Sequence, residues 1–129
     1  MSTPSEQIVI VLPLPPRILS PNCPVASFRG RMMRAAAAKK QKRLAIEATE
    51  DAARGVRWEK ASYCARFFHK THRRRDDVNH LAMLKAAIDG VVLAGLLPDD
   101  DRDHLHATGA EFLVDKEWPR VELTFTREA

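Results

Sequence analysis

Cysteine is scarce in this chain of 129 residues: Cys23 and Cys64 are the two present. They lie too far apart for a CxxC pair and are read as free thiols, which excludes a disulfide-stapled secreted scaffold. No apolar run approaches the roughly 20 residues that a bilayer-spanning helix needs. The opening MSTPSEQ lacks the basic start of a secretory signal, so a cytoplasmic protein without membrane association is expected. The five histidines, His69, His72, His80, His104 and His106, show no metal-ligand spacing. Aromatic residues make up 6% of the chain, and Trp58, Phe67 and Phe68 read as packing residues rather than as stacking platforms for bases. There is no internal repeat, and no low-complexity stretch beyond AAAAKK.

Charge is what the sequence does have, and it is unevenly placed. Arg29, Arg31, Arg34, Lys39, Lys40, Lys42 and Arg43 follow one another with no acid among them, and Arg66, Lys70, Arg73, Arg74 and Arg75 form a second block. Twelve of the 21 basic residues therefore fall in two short stretches. Most charge runs are solvated faces; this layout also suits a surface that meets a polyanion.

The apolar pattern gives the frame. QIVIVLPLPP begins as a strand and ends in prolines that cannot continue a central ladder. A helix is expected from about Met32 to Ala53, closed by Gly55. SYCARFFHK has aromatic strand character, after which HRRRDD leaves the sheet. Asn79 suits the N-cap of a second helix with Leu81, Leu84, Ile88 and Val91 at helical spacing, stopped by Gly95. EFLVD and RVELTFT alternate as strands on either side of EWP. The order predicts one α+β domain over residues 1–129, a mixed β-sheet packed with helices.

That order puts acidic groups at both ends of the second helix, Asp76 and Asp77 before it and Asp99, Asp100 and Asp101 after it, with Lys85 and Asp89 one turn apart within it. Taken singly, each has a plainer reading. An Asp or Asn before a helix caps it, PDDD after one is a solvated turn, and Lys85 with Asp89 is an i,i+4 surface pair. Together they suit phosphodiester hydrolysis, in which Mg2+ held by carboxylates neutralises the phosphate and generates hydroxide while a lysine steadies developing charge.

The run RRRDDVNHLAMLKAAIDGVVLAGLLPDDD resembles the centre of the RusA family of Holliday junction resolvases, in its short phage and prophage form. That family shows Arg-Asp, x, Asp-Asn, a lysine-bearing helix with an Asp-Gly step, then Ala-Gly, a short apolar run and Asp-Asp. VLPLPPRILSPN and RVELTFT are similar to its first strand and loop and to its last strand, so the resemblance covers most of the chain. It implies a Mg2+-dependent endonuclease acting on four-way and other branched DNA as a homodimer, since symmetric cutting needs two sites. Residue by residue, it makes Asp76, Lys85 and Asp100 catalytic. Asp76 and Asp100 are its metal ligands, with Asp77 or Asn79 completing the shell. Asp89 matches the helix aspartate of the Asp-Gly step. The basic stretches Arg29, Arg31, Arg34, Lys39, Lys40, Lys42, Arg43 and Arg73, Arg74, Arg75 are expected to meet the DNA.

One position departs from the pattern. Val78 stands where the family has its second aspartate, and valine cannot ligate a metal. Either Asp77 takes over by a one-residue shift, or the chain is a junction-binding relative that cleaves poorly or not at all. A small basic domain with no nucleic-acid role is the third expectation, distinguished from both by lacking salt-sensitive DNA affinity.

Overall fold

A computed structural model describes residues 6–72 and 77–129, without the side chain of Asp77. Four strands, β1 (Gln7–Leu12), β2 (Ala61–His69), β3 (Leu105–Val114) and β4 (Arg120–Arg127), form one mixed sheet in the order β1-β4-β2-β3. β4 runs antiparallel to both β1 and β2, while β3 is parallel to β2. A parallel pair needs a crossover. Here it carries two short helices, α2 (Asp77–Ala82) and α3 (Lys85–Leu93). The long helix α1 (Phe28–Ala53) occupies the earlier connection from β1 to β2. The expected mixed α+β architecture is thus what the chain adopts.

Local chemistry accounts for most of the boundaries. β1 stops at Leu12, before Pro13, and lies at a sheet edge, where a proline does least harm to the ladder. α1 starts at Phe28, four residues before the expected Met32, because Ser27 caps it: its Oγ accepts from the Gly30 N–H at 3.0 Å. Gly55 and Gly95, just past the ends of α1 and α3, take φ of +77° and +96°, which side chains with a Cβ disfavour.

The core lies between one sheet face and the helices. β4 contributes Val121, Leu123 and Phe125, and β2 contributes Ala61, Ala65 and Phe67, all fully buried. Leu84, Ala87 and Val91 cover them from the helical side. Each large side chain buried there contributes about 1.5–3 kcal/mol. Among the described residues, no helix is long and apolar enough to cross a membrane.

The single helix expected from Asn79 to Gly95 is corrected to two. Asn79 lies inside α2 rather than at its cap, and Met83 and Leu84 separate α2 from α3. In a continuous helix the Ala87 N–H would donate to the Met83 carbonyl. Instead the Gln41 side chain of α1 stands between them: its Nε2 donates to the Met83 carbonyl at 3.0 Å and its Oε1 accepts from the Ala87 N–H at 2.9 Å. A side chain inserted into the i→i−4 ladder is a recognised cause of a break. Leu84, the N-cap of α3, makes no side-chain capping hydrogen bond.

Candidate functional site

Packing of α3 on α1 fixes where the site stands. α1 presents Gln41, Ala45, Thr49 and Ala53 as a buried stripe of one residue per turn. Gly90 meets that stripe so closely that a Cβ there would lie 2.5 Å from the Lys42 carbonyl oxygen and 2.9 Å from the Ala45 Cβ. The glycine of the Asp-Gly step is therefore a close-approach residue. Asp89, its neighbour, is directed to the open side of α3, where its Oδ1 accepts from Lys85 Nζ at 2.9 Å.

Residues after α3 return along it, and Asp100 Oδ2 accepts from the same Lys85 Nζ at 2.7 Å, across a separation of fifteen positions. Leu96 and Leu97 anchor this return in the core, and the Leu96 carbonyl accepts from the Trp58 N–H at 2.7 Å. The three consecutive aspartates have separate occupations. Asp99 Oδ1 accepts the Asp100 N–H at 2.7 Å. The Asp101 carbonyl accepts the Leu105 N–H at 2.9 Å, and its carboxylate contacts His104 Nδ1 at 2.6 Å. Asp100 alone of the three reaches Lys85.

The electrostatics follow from these contacts. Donation from Lys85 holds the Asp100 carboxyl below the usual carboxylate range. The Asp100 and then the Asp89 carboxylate push the Lys85 ammonium above the usual lysine range. A depressed Asp100 value means stability that is present above the ordinary carboxylate pKa and lost as pH falls through the lowered one. A raised Lys85 value means stability present below the ordinary lysine pKa and lost as pH rises through the higher one. The Lys85–Asp100 contact should accordingly hold from about pH 4 to about pH 10. In a pH titration followed by the NMR shifts of Lys85 Cε and Nζ, a midpoint inside that window would contradict the pairing.

Sequence reasoning did not single out Tyr63. It shares a cleft of about 250 Å3 with Leu81, Ala82, Lys85, Ile88, Asp100, Leu105 and Ala107. Burial first, then the Asp100 carboxylate, pushes its phenol up. Thr108 is the extra residue of a bulge opposite the step from Tyr63 to Cys64, and its hydroxyl donates to the Tyr63 carbonyl at 3.2 Å. Such bulges re-aim side chains beside functional clefts. A signal was legible in part: Tyr63 has the same parity as the core positions Ala61, Ala65 and Phe67 and so lies on the same face of the strand.

A second groove, of about 300 Å3, lies on the other side of Lys85, where Arg34, Gln41 and Lys42 of α1 face Met83, Lys85 and Asp89. Lys85 lines both the groove and the cleft, with Asp89 in the first and Asp100 in the second. Among the described residues, the lysines and arginines in ion pairs are Lys60, Arg66, Lys85, Arg120 and Arg127. No cation of α1 is among them. Arg29, Arg31, Lys39, Lys40 and Arg43 are exposed, and Lys42 is half-buried towards the groove. Arg34 has a different occupation from the expected DNA contact: its guanidinium donates to the carbonyls of Ile18 at 2.8 Å, Ser20 at 3.2 Å and Cys23 at 2.6 Å. It ties the proline-rich loop to α1.

Of the other expected site residues, Asp76, Arg73, Arg74 and Arg75 lie outside the described residues, as does the side chain of Asp77. Asn79 is half-buried in α2, and Val78 beside it is 76% exposed. Among the described residues, no group of three or more His, Cys, Asp or Glu is arranged to hold a metal ion. What the described residues do supply is two carboxylates, Asp89 and Asp100, converging on one cation, the Lys85 ammonium. Carboxylate oxygens are the hard donors that Mg2+ takes, so Asp100 is the described carboxylate of the expected set that fits such a site, and it needs further ligands to complete it. No protein-family model matches the chain, and no curated protein does.

Proposed function

We propose that the protein is a Mg2+-dependent endonuclease for four-way and other branched DNA, as its resemblance to the RusA resolvases implies. The observation that carries the reading is the meeting of Lys85, Asp89 and Asp100, separated in sequence and joined at 2.9 and 2.7 Å, beside a helix whose basic residues make no ion pair among the described residues. Asp76 and Asp100 would hold the ion, with Asp77 or Asn79 completing its shell. Bound there, it would supply charge neutralisation and an activated water. Lys85 orients Asp100 and, with two of its three N–H groups engaged, has one left for a phosphate oxygen. Its 68% exposure leaves that approach open. A homodimer acting in the cytoplasm completes the reading, because symmetric cutting of a four-way junction needs two sites.

The discriminating experiment offers a synthetic four-way junction and a linear duplex of matching sequence, each with Mg2+ or with a chelator. Cleavage of the junction alone, in Mg2+ alone, supports the reading; equal cutting of both substrates sinks its structure selectivity. The surface is tested by replacing Lys39, Lys40, Lys42 and Arg43 with alanine. Binding to every DNA form should weaken, and the slope of log affinity against log salt should fall by about one unit for each lost phosphate contact. An unchanged slope would mean that α1 faces away from DNA.

A second reading has its own observation. Val78 is a solvent-facing apolar residue where a further carboxylate is expected, and a chain lacking that ligand could bind junctions without cutting them. The two readings part on Val78→Asp. If Asp77 compensates, Val78→Asp changes activity little and Asp77→Asn is nearly as damaging as Asp76→Asn. If the site is crippled, Val78→Asp raises cleavage or lowers the Mg2+ requirement, and Asp77→Asn is almost silent. Compensation is the outcome this account expects.

A further inference from the structure

We infer that Gln41 is a positioning residue for Lys85: by holding the crossover helix broken, it places the ammonium where it meets Asp100. The inference rests on the nuclease reading only for its catalytic consequence; the geometry stands independently. Lys85 is the first residue of α3, bracketed by the two groups that Gln41 contacts, the Met83 carbonyl at 3.0 Å and the Ala87 N–H at 2.9 Å. Gln41 is 8% exposed and sits in the α1 stripe that packs against α3. Its amide donates at one end and accepts at the other, matched to the carbonyl and N–H that the break separates.

Without that amide, the two backbone groups have each other. Burial penalises both if unpaired, and the apolar spacing of Leu81, Leu84, Ile88 and Val91 already favours a continuous helix. Closing the ladder from Ala87 to Met83 would fuse α2 with α3 and rotate Lys85 relative to Asp100, which is held on a separate segment by Leu96 and Leu97. A purely structural glutamine would lower stability on removal and leave the Lys85 contact alone. A positioning glutamine moves the Lys85 contact even where the fold survives.

The test compares the wild-type chain with Gln41→Met and Gln41→Glu, following the Lys85 Cε and Nζ shifts by NMR beside junction cleavage in Mg2+. In Gln41→Met the Lys85 Cε and Nζ shifts should move to those of an unpaired lysine. Cleavage should fall on the order of 10²-fold, the size of effect that a misplacement of about 1 Å produces, with junction affinity changed less than about two-fold. In Gln41→Glu the introduced carboxyl mimics the amide when protonated, donating to Met83 and accepting from Ala87. Arg34, Lys42, Lys85 and Asp89 line the same groove, and burial opposes ionisation. The Lys85 Cε and Nζ shifts should therefore be native-like near about pH 5, where Asp100 remains ionised, and move to unpaired values towards about pH 8, while those of the wild-type chain stay unchanged. Gln41→Met should show no such recovery. Wild-type Lys85 shifts in Gln41→Met, or pH-independent Lys85 shifts in Gln41→Glu, overturn the inference; should Gln41→Met fail to fold, the Gln41→Glu profile decides. Absence of junction cleavage by the wild-type chain would overturn the nuclease reading and leave the NMR outcome to decide the positioning role.

Discussion

Asp100→Asn should lower Mg2+-dependent junction cleavage by at least about 10²-fold, the scale on which removal of one preorganised electrostatic group acts. The amide keeps the shape of the side chain and can still accept from Lys85 Nζ, now 2.7 Å from Asp100 Oδ2, so the fold should be undisturbed. What is lost is an anionic oxygen for a hard cation. Junction affinity should hold or rise slightly, because a negative charge facing the phosphates has gone. Single-turnover cleavage and a binding titration on the same junction measure the two effects separately. Wild-type cleavage by the variant would remove Asp100 from the site.

Gly90→Ala should be the most damaging single-methyl change to stability. Alanine improves intrinsic helix propensity by about 1 kcal/mol, yet the new Cβ would stand 2.5 Å from the Lys42 carbonyl oxygen and 2.9 Å from the Ala45 Cβ. Both obstacles belong to the packed face of α1, so relief requires the two helices to part. Overpacking of this kind costs about 3 kcal/mol, which lowers Tm on the order of 10 °C in a chain this size. Parting α1 from α3 also draws Gln41 away from Met83 and Ala87, so the Lys85 contact should weaken with it. Gly55→Ala is the control: φ there is +77° with nothing within 4 Å, and the strain alone should cost about 1 kcal/mol. Equal melting temperatures for Gly90→Ala and the wild-type chain would contradict the close approach of the two helices.

Where the sequence was informative, the signal was local. Alternation placed Val121, Leu123 and Phe125 on one face of β4, and prolines ended β1 at its edge position. Gly55 and Gly95 marked helix ends because a positive φ there needs no neighbour to explain it. The start of α1 lies ahead of the expected Met32 because Phe28, Met32 and Met33 point outward, with exposures of 70%, 57% and 55%, and so give no amphipathic signal. The break between α2 and α3 was hidden for a different reason. Its cause is Gln41, 42 positions before Met83, and no window over the helix itself contains it. A neutral residue within KKQKR, one turn before Ala45 and two before Thr49, was the available hint. Equally, spacing alone did not separate Asp100 from Asp99 and Asp101, because their different occupations arise from the way the segment folds back along α3. The family resemblance indicated Asp100, and of the three it is Asp100 that meets Lys85. Arg34 looked like its basic neighbours, but it lies on the same side of α1 as Gln41 and its guanidinium is taken up by loop carbonyls.

The central claim, that Lys85 and Asp100 belong to a metal-dependent site for branched DNA, is tested most directly by titrating Mg2+ against single-turnover cleavage of a four-way junction at fixed ionic strength. All four strands should be end-labelled in turn. The account predicts a cleavage rate that rises from none and saturates with Mg2+, with paired cuts on opposing strands and no cutting of the linear duplex. Tight, salt-sensitive junction binding with no cleavage at any Mg2+ concentration would contradict it.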